Sequence, residues 1–231
     1  MDVVIFDRIP PRLGVVKPDD KKDILLPGEV GAVLDWVVSD PKTGRITEQR
    51  AIKSHSFLKQ FLHILYVKFN LLGSSTFNTG GTPPHGNLGT VLSTLDITNT
   101  ARDVIHVEHF EFVCLGAAAS VTSGIIIGTG VTAPTITDYK IETIIPHATM
   151  NYGAQTFGNP TADATTSQLT ITRNFANVSG GDVTVNEIAL YCGAYAGGSR
   201  DFCIIRDVIA GGITVPNGQT LTVNYRPQVV I

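Results

Sequence analysis

The chain has few charged residues for its length. Charged side chains make up 16% of the 231 residues, against roughly a quarter in typical soluble domains. The formal net charge is only -3, which gives no long-range field to attract nucleic acid or an anionic membrane surface. We therefore expect neither partner. Hydrophobic residues make up 43% of the chain, which excludes disorder and is enough for a large core.

Cysteine is also scarce, with three widely spaced residues, Cys114, Cys192 and Cys203. An odd number at these spacings is neither a disulfide framework nor a zinc-binding pattern. We therefore interpret all three as small, buried hydrophobic residues.

Targeting segments are missing from the sequence as well. Residues 1–11 have neither the basic stretch nor the apolar run of a secretory signal. No run approaches the roughly 20 apolar residues that a membrane-spanning helix needs. We expect the protein to be made and assembled in the cytoplasm.

What the sequence does contain is a strong β signature. Beyond Leu71 it is rich in Thr, Gly, Val and Ile, a mixture that favours half-buried strands and tight turns. The predicted fold is mainly β and is an antiparallel β-sandwich, of which a jelly roll is one candidate version. Strands are predicted at 104–114, 125–127, 139–145, 168–177, 183–191, 202–209 and 221–230.

Two segments before Leu71 also have clear patterns. Residues 30–38 and 46–52 flank Asp40-Pro41-Lys42-Thr43-Gly44, where proline presets a turn and glycine allows positive φ, so a β-hairpin is predicted. Between Phe57 and Phe69 the apolar residues recur with helical spacing. We expect an amphipathic helix over 56–70, packed on the sheet or facing a partner.

The remaining segments suit extended structure. Residues 1–29 contain four prolines, each of which removes an amide donor and favours extended backbone, so we expect an N-terminal arm. Residues 73–100 have the composition of a long loop, and such loops are usually functional or part of an assembly. The β domain then covers residues 30–231, including the helix and this loop.

A literal match to the dinucleotide fingerprint G-x-G-x-x-A occurs at Gly128-Thr129-Gly130-Val131-Thr132-Ala133. A nucleotide site would need a helix to begin at the last small residue. Pro134 follows directly and the composition stays β-like, so we interpret the motif as a turn that ends a strand.

Other possible catalytic or metal-binding groups are weakly supported. On a strand, His106 shares one face with Glu108, and His109 shares the other with Glu111, so a zinc site would need a third ligand from His85 or His147. The preferred interpretation is a polar strand. No nucleophile elbow, metalloprotease helix or P-loop is present. We expect no enzyme activity, no cofactor and no metal.

Glu187 is the one charged residue that interrupts a strongly apolar strand. The apolar residues have odd numbers before it, Val183 and Val185, and even numbers after it, Ile188 and Leu190. A bulge at Asn186-Glu187 would restore the inward face. The buried carboxylate would then need Arg173, Arg206 or a backbone amide as its partner, in a structural role.

Several of these segments together resemble tailed-bacteriophage virion structural proteins. The resemblance extends over roughly residues 30–230 and consists of strand and turn signatures, which carry over no catalytic residue. It implies a capsid decoration protein or a neck, collar or tail component. The segments are Ser54-His55-Ser56-Phe57 with Phe61-Leu62 and Tyr66, Ile127-Gly128-Thr129-Gly130 with Ala133-Pro134 and Asp138-Tyr139, Phe175 to Gly180, Val185 to Tyr191, Arg206-Asp207-Val208, and Val215 to Tyr225.

A virion component implies a homo-oligomer that also binds other virion proteins. Low charge, a proline-rich arm and a long loop suit such an assembly, in which the arm adds a strand to a neighbouring sheet. The residues expected to make these contacts are Pro10, Pro11, Pro18, Phe57, Phe61, Tyr66, Pro83 and Pro84.

Two other functions remain open from the sequence. A carbohydrate-binding β-sandwich would bind glycan through exposed aromatic residues, for which Trp36, Tyr152 and Tyr195 are the candidates. An enzyme would join His85, His106, His109 or His147 to carboxylates in a cleft.

Overall fold

The structure is a computed structural model, and it describes residues 25–54, 57–58, 61–62, 113–195 and 199–231, without the side chains of 194–195 and 199–200. Its regular elements are almost entirely strands. They are β1 (Val30–Ser39), β2 (Ile46–Ser54), β3 (Gly124–Gly128), β4 (Met150–Tyr152), β5 (Thr156–Phe157), β6 (Thr161–Ala162), β7 (Thr166–Gln168), β8 (Ile171–Asn177), β9 (Val183–Tyr195), β10 (Ser199–Val215) and β11 (Thr220–Val230).

The strands form two antiparallel sheets, which confirms the prediction of a mainly β fold. In the first sheet β11 is central: β1 pairs along one side of it with β2 beyond, and β8 and β7 pair along the other side. Strands β4 and β5 then pair with β8, and β6 pairs with β7. The second sheet has the order β10-β9-β3.

One hydrophobic core joins the two sheets. Alternate residues of β1 and β11 point into it, as the period of two in a strand requires. Strand β3 is buried along its whole length, because it lies between β9 and the side chains of the first sheet. The largest aromatic side chains of the core are Trp36, Tyr152, Phe175 and Tyr225 from the first sheet and Tyr191 and Phe202 from the second.

The predicted hairpin is confirmed. Its turn has Gly44 at φ 71°, and the Gly44 amide donates to the Asp40 carbonyl at 2.8 Å. The Asp40 carboxylate accepts from the Lys42 amide at 2.8 Å, and this bond together with those from Thr43 lowers the pKa of Asp40. The glycine of the turn therefore adopts the positive φ that its conformational freedom allows.

Two finer expectations find no support in the described residues. A jelly roll would need four strands in each sheet, and the second sheet has three here. Of the helix predicted at 56–70, residues 56, 59–60 and 63–70 lie outside the described residues, and Phe61 and Leu62 have helical backbone. Phe57 forms a β-bridge with Ile205 instead, because the edge of β10 accepts this segment: the Leu58 amide donates to the Ile204 carbonyl at 2.9 Å.

The strand predicted at 139–145 is wrong. Three of its backbone amides bond to side chains: the Ile141 amide donates to the Tyr191 hydroxyl at 2.7 Å, and the amides of Glu142 and Thr143 donate to Glu187. Only its end contacts β3, where the Ile145 amide donates to the Ile127 carbonyl at 3.0 Å. A single bridge joins Ile144 to Gly128. The strands predicted at 125–127, 183–191, 202–209 and 221–230 correspond to β3, β9, β10 and β11, and the one at 168–177 corresponds to β8. The one at 104–114 lies outside the described residues except for Val113 and Cys114.

The interpretation of the cysteines is also wrong for two of the three. Cys114 and Cys192 form a disulfide across a sequence separation of 78, and Cys203 is free and buried. Val113 pairs with Gly193, and this register places Cys114 directly opposite Cys192. Spacing along the sequence cannot reveal a pair that only strand register brings together.

Candidate functional site

The most elaborate polar cluster surrounds the segment 128–143, which we call the glycine loop. It follows β3 and contains the G-x-G-x-x-A match. Glu187 on β9 has a completely buried side chain, and its carboxylate binds the two ends of this loop. Oε1 accepts from the amides of Gly130 and Thr143 at 2.9 and 2.8 Å, and Oε2 accepts from the Glu142 amide at 3.0 Å.

Arg206 on β10 neutralises this buried carboxylate. Its Nε donates to Oε2 of Glu187 at 3.0 Å, and its Nη1 donates to Oδ2 of Asp138 at 2.7 Å. The Nη2 group donates to the Thr132 carbonyl at 3.1 Å. These ionic hydrogen bonds raise the pKa of Arg206 against the opposing effect of its burial. Arg206 therefore stays charged and fixes the middle of the glycine loop.

Two further carboxylates of the loop bind the loop itself. Asp138 accepts from the amide and the hydroxyl of Thr135 at 3.0 and 2.6 Å. Partial burial opposes ionisation of Asp138, yet the bonds from Thr135 and Arg206 keep its pKa below the ordinary value. Glu142 accepts from the amide and the hydroxyl of Thr132, which lowers its pKa as well.

The predicted role of Glu187 is confirmed. Its partners are Arg206 and backbone amides, two of the three kinds of partner that the sequence suggested. The β9–β10 register breaks beside it, between the pairs Val208–Glu187 and Ile213–Val185. The bulge predicted at Asn186-Glu187 is therefore wrong in its position, because the extra residues of this irregularity are on β10, between Val208 and Ile213.

The fingerprint match at 128–133 ends β3 at Gly128, as expected, and then continues as irregular backbone in which no helix begins. The turn itself lies further on, where the Asp138 amide donates to the Thr135 carbonyl at 3.0 Å. The Gly130 amide, which a bound phosphate would need, already donates to the Glu187 carboxylate. The motif glycines serve close packing: a Cβ on Gly128 would lie 2.6 Å from Oε1 of Glu187, and one on Gly130 would lie 2.6 Å from Oε2 of Glu142.

The outer part of the glycine loop is uncharged and exposed. Residues 129–137 contain no acidic or basic side chain. Val131 is 69% exposed and Ile136 is 62% exposed. The buried ionic cluster thus holds in a fixed shape a loop that presents apolar side chains to solvent, which is an arrangement suited to contact with another protein.

A second buried cluster is built on Arg173 of β8. The side chain is completely buried, and its five N–H groups donate to five backbone carbonyls at 2.7 to 3.0 Å. Its guanidinium lies 4.9 Å from the centre of the Tyr152 ring. Burial lowers the pKa of Arg173 to about 10, so it is still charged at neutral pH. The carbonyls belong to Ala117, Ser120, Ser123, Ile125 and Gly153.

A third polar cluster lies between the two sheets. Oδ2 of Asp207 accepts from the Ser54 hydroxyl at 2.8 Å and from the Tyr225 hydroxyl at 3.0 Å. Burial raises the pKa of Tyr225 well above its ordinary value, so this phenol remains a hydrogen-bond donor. The cluster links β2, β10 and β11 across the core.

Of the eight residues expected at interfaces, the structure describes two. Phe57 and Phe61 pack against the hydrophobic core with their ring centres 4.7 Å apart. Phe57 also lines a cavity of about 300 Å³ together with Leu25 and Lys53. The other six, Pro10, Pro11, Pro18, Tyr66, Pro83 and Pro84, lie outside the described residues, as do most of the arm and the whole loop 73–100.

The histidines considered for a metal or catalytic site are mostly outside the described residues, namely His85, His106 and His109. Nδ1 of His147 accepts a hydrogen bond from the Tyr152 amide at 3.0 Å. Within the described ranges, no group of three His, Cys, Asp or Glu side chains could hold a metal ion. No helix in those ranges is long and apolar enough to cross a membrane.

The expectation of exposed glycan-binding aromatics is wrong for two of the three candidates. Trp36 is fully buried, and its indole N–H donates to Glu48 at 2.8 Å. Tyr152 is 1% exposed, and its hydroxyl bonds to the Ile145 carbonyl at 2.8 Å. The side chain of Tyr195 is not among those that the structure describes.

Sequence reasoning missed the role of Arg173, which it considered only as a partner for Glu187. A signal was present: Ile171, Arg173 and Phe175 share one face of β8, so the strand period places the arginine on the buried face. A buried arginine at such a position implies a set of acceptors, although the sequence does not say which. No protein-family model, curated protein or solved structure matches the chain.

Proposed function

We propose that this protein is a structural component of a tailed-bacteriophage particle, either a capsid decoration protein or part of the neck or tail. In this proposal the chain is a β-sandwich that assembles in the host cytoplasm as a homo-oligomer and binds other virion proteins. It has no catalytic role, cofactor or metal.

The observation that supports this proposal is the convergence of the resembling segments on one internal cluster. Gly128 to Gly130, Asp138, Glu187 and Arg206 come from different segments that carry the resemblance to virion proteins. They meet in the ionic cluster under the glycine loop, where they bind one another and the backbone. Such a cluster shapes a loop, so the shared signature has a structural purpose, as a particle subunit requires.

The surface above the cluster supports the same proposal. Protein interfaces have few charged residues in their buried centres, and the uncharged tip of the glycine loop fits that composition. A loop that is rigid before binding loses little conformational entropy when a partner covers it. The arm at 1–29 and the loop 73–100 are proposed to extend across neighbouring subunits.

The test is the solution mass of the purified full-length chain, measured by light scattering after size exclusion over a range of concentrations. One chain has a mass of 24.7 kDa. A trimer would support a decoration protein, and a ring of six or twelve would support a neck or tail component. A monomer at every concentration would overturn the proposed homo-oligomer.

A second experiment addresses the arm. A variant that lacks residues 1–24 keeps every strand described above, so its circular dichroism should still show a folded β protein. We expect its oligomer to be smaller or weaker than that of the full chain. Unchanged assembly would contradict the proposed role of the arm.

A further inference from the structure

The disulfide joins two segments that other contacts already hold together. Val113 and Gly193 exchange both backbone hydrogen bonds, at 3.2 and 2.8 Å. In an antiparallel pair the next two residues are then a closely spaced, non-hydrogen-bonded pair. These are Cys114 and Cys192, whose Cα atoms are 4.2 Å apart.

Gln155 holds the Cys114 segment from the opposite side. Its side-chain amide donates to the Cys114 carbonyl, and its backbone amide donates to the Gly116 carbonyl at 2.7 Å. Its Oε1 accepts from the Ile125 amide at 2.7 Å, which ties the same side chain to β3. None of these bonds depends on the sulfur atoms, so the two thiols of a reduced chain would also face each other.

The three cysteines differ in access to solvent. Cys203 is completely buried, and desolvation raises the pKa of its thiol far above the ordinary value, which keeps it unreactive. Cys192 is completely buried as well, whereas Cys114 is half-buried. Cys114 is therefore the cysteine of the pair with which we expect a small thiol or disulfide reagent to react.

We propose that Cys114 and Cys192 are a redox-controlled lock, present as two thiols while the subunit folds and assembles and closed as a disulfide after the particle leaves the reducing cytoplasm. The timing rests on the proposed function. Cytoplasmic thiol pools keep such pairs reduced, and oxidising surroundings allow the bond to form. The lock would then strengthen a subunit that has to survive outside the cell.

The oxidant in this step is a small-molecule disulfide, for which oxidised glutathione is the probe. The Cys114 thiolate attacks one glutathione sulfur, which forms a mixed disulfide and releases one glutathione thiolate. The Cys192 thiolate then attacks Sγ of Cys114 and releases the second glutathione. Two protein thiols are oxidised, one glutathione disulfide is reduced to two thiols, and the two cysteine protons end on the glutathiones.

The experiment compares the full-length chain, purified with reductant, before and after treatment with oxidised glutathione. Free thiols are counted by alkylation in denaturant, followed by intact-mass measurement. We expect three alkylated cysteines before treatment and one after it. Closing a loop of this length should raise the melting temperature by roughly 5 to 15 °C. Three thiols that persist after treatment, or an unchanged melting temperature, would overturn the lock.

Two controls separate this proposal from its alternatives. Cys203→Ser should keep both the oxidation and the rise in melting temperature, and Cys114→Ser should lose both. The reduced wild-type chain should already have the β circular dichroism and the oligomeric mass of the oxidised one. A reduced chain that fails to fold, or that stays monomeric under conditions where the oxidised chain is oligomeric, would show that the bond is required earlier, which contradicts the proposal.

The outcome is independent of the test of the proposed function. A monomer that closes the disulfide with the expected shift would support the lock and contradict the homo-oligomer. An oligomer whose thiols stay free would support the homo-oligomer and contradict the lock.

Discussion

Glu187 and Arg206 form a buried ion pair between neighbouring strands of the second sheet, with Nε 3.0 Å from Oε2. Their side chains are 0% and 4% exposed. Arg206 also reaches Asp138, and Glu187 also binds three backbone amides of the glycine loop. The pair is thus the point at which β9, β10 and the glycine loop are joined.

Removing one partner of this pair should destabilise the protein strongly. Arg206→Met leaves the Glu187 carboxylate buried without its counter-charge, which typically costs about 3 to 5 kcal/mol. The free energy of unfolding measured by urea denaturation is the test. Lys53→Met is the matched control, because Lys53 pairs with Glu29 at a partly exposed site and its loss should cost less than about 1 kcal/mol. Equal effects of the two variants would contradict the structural importance of the buried pair.

Arg173 should not be replaceable by lysine. A lysine has three donors at a single point, so it cannot satisfy five carbonyls arranged around a planar guanidinium. We expect Arg173→Lys to lower the free energy of unfolding by about 2 to 4 kcal/mol, since buried carbonyls lose their partners. The control is Arg50→Lys, at an exposed arginine that stacks on Trp36. A loss no greater than that of the control would show that the carbonyls are satisfied in another way.

The effect on stability of replacing a glycine with alanine should depend on the space around that glycine. Gly128→Ala would place its methyl group 2.6 Å from Oε1 of Glu187 and against the Thr143 carbonyl. Because that carbonyl belongs to the backbone, the glycine loop would have to shift, at a cost of more than about 2 kcal/mol. Gly181→Ala has no neighbour within 4 Å of its methyl group and should change stability by less than about 0.5 kcal/mol. Paired thermal denaturation would reveal the contrast, and a tolerated Gly128→Ala would contradict the tight packing.

Stability should fall in acid because of Asp138. Its pKa in the folded protein lies below the ordinary value of 3.8, so the unfolded chain takes up a proton at higher pH than the folded one. The contribution of ionised Asp138 to the free energy of unfolding is fully present from about one pH unit above 3.8. It is lost as the pH falls through the lower pKa that Asp138 has in the folded protein. Urea midpoints between pH 2.5 and 6 should show this decline. In Asp138→Asn the decline should be shallower, and an identical slope would exclude this carboxylate as its source.

The local elements of the fold could be predicted because they depend on neighbouring residues. The turn at Asp40 to Gly44 follows from the backbone preferences of proline and glycine. Strands such as β8 and β11 follow from alternation with a period of two. Glu187 could be assigned a buried structural role because it breaks such an alternation. The helix prediction at 56–70 had the same kind of basis, and residues 56, 59–60 and 63–70 lie outside the described part of the chain. The β-bridge of Phe57 with Ile205 is a long-range contact that helical spacing could not predict.

By itself, then, the sequence determined the strand and turn pattern, the hairpin and the need for a partner at Glu187. Tertiary structure alone decided that Cys114 meets Cys192, that Arg173 binds five carbonyls, and that the amides of residues 141–143 bond to side chains, so that 139–145 is not a strand. The physical reason is the distance along the sequence between the residues that interact. Periodicity and turn preferences act within a few residues, whereas these contacts join residues twenty or more positions apart, and only the pairing of the strands brings them together.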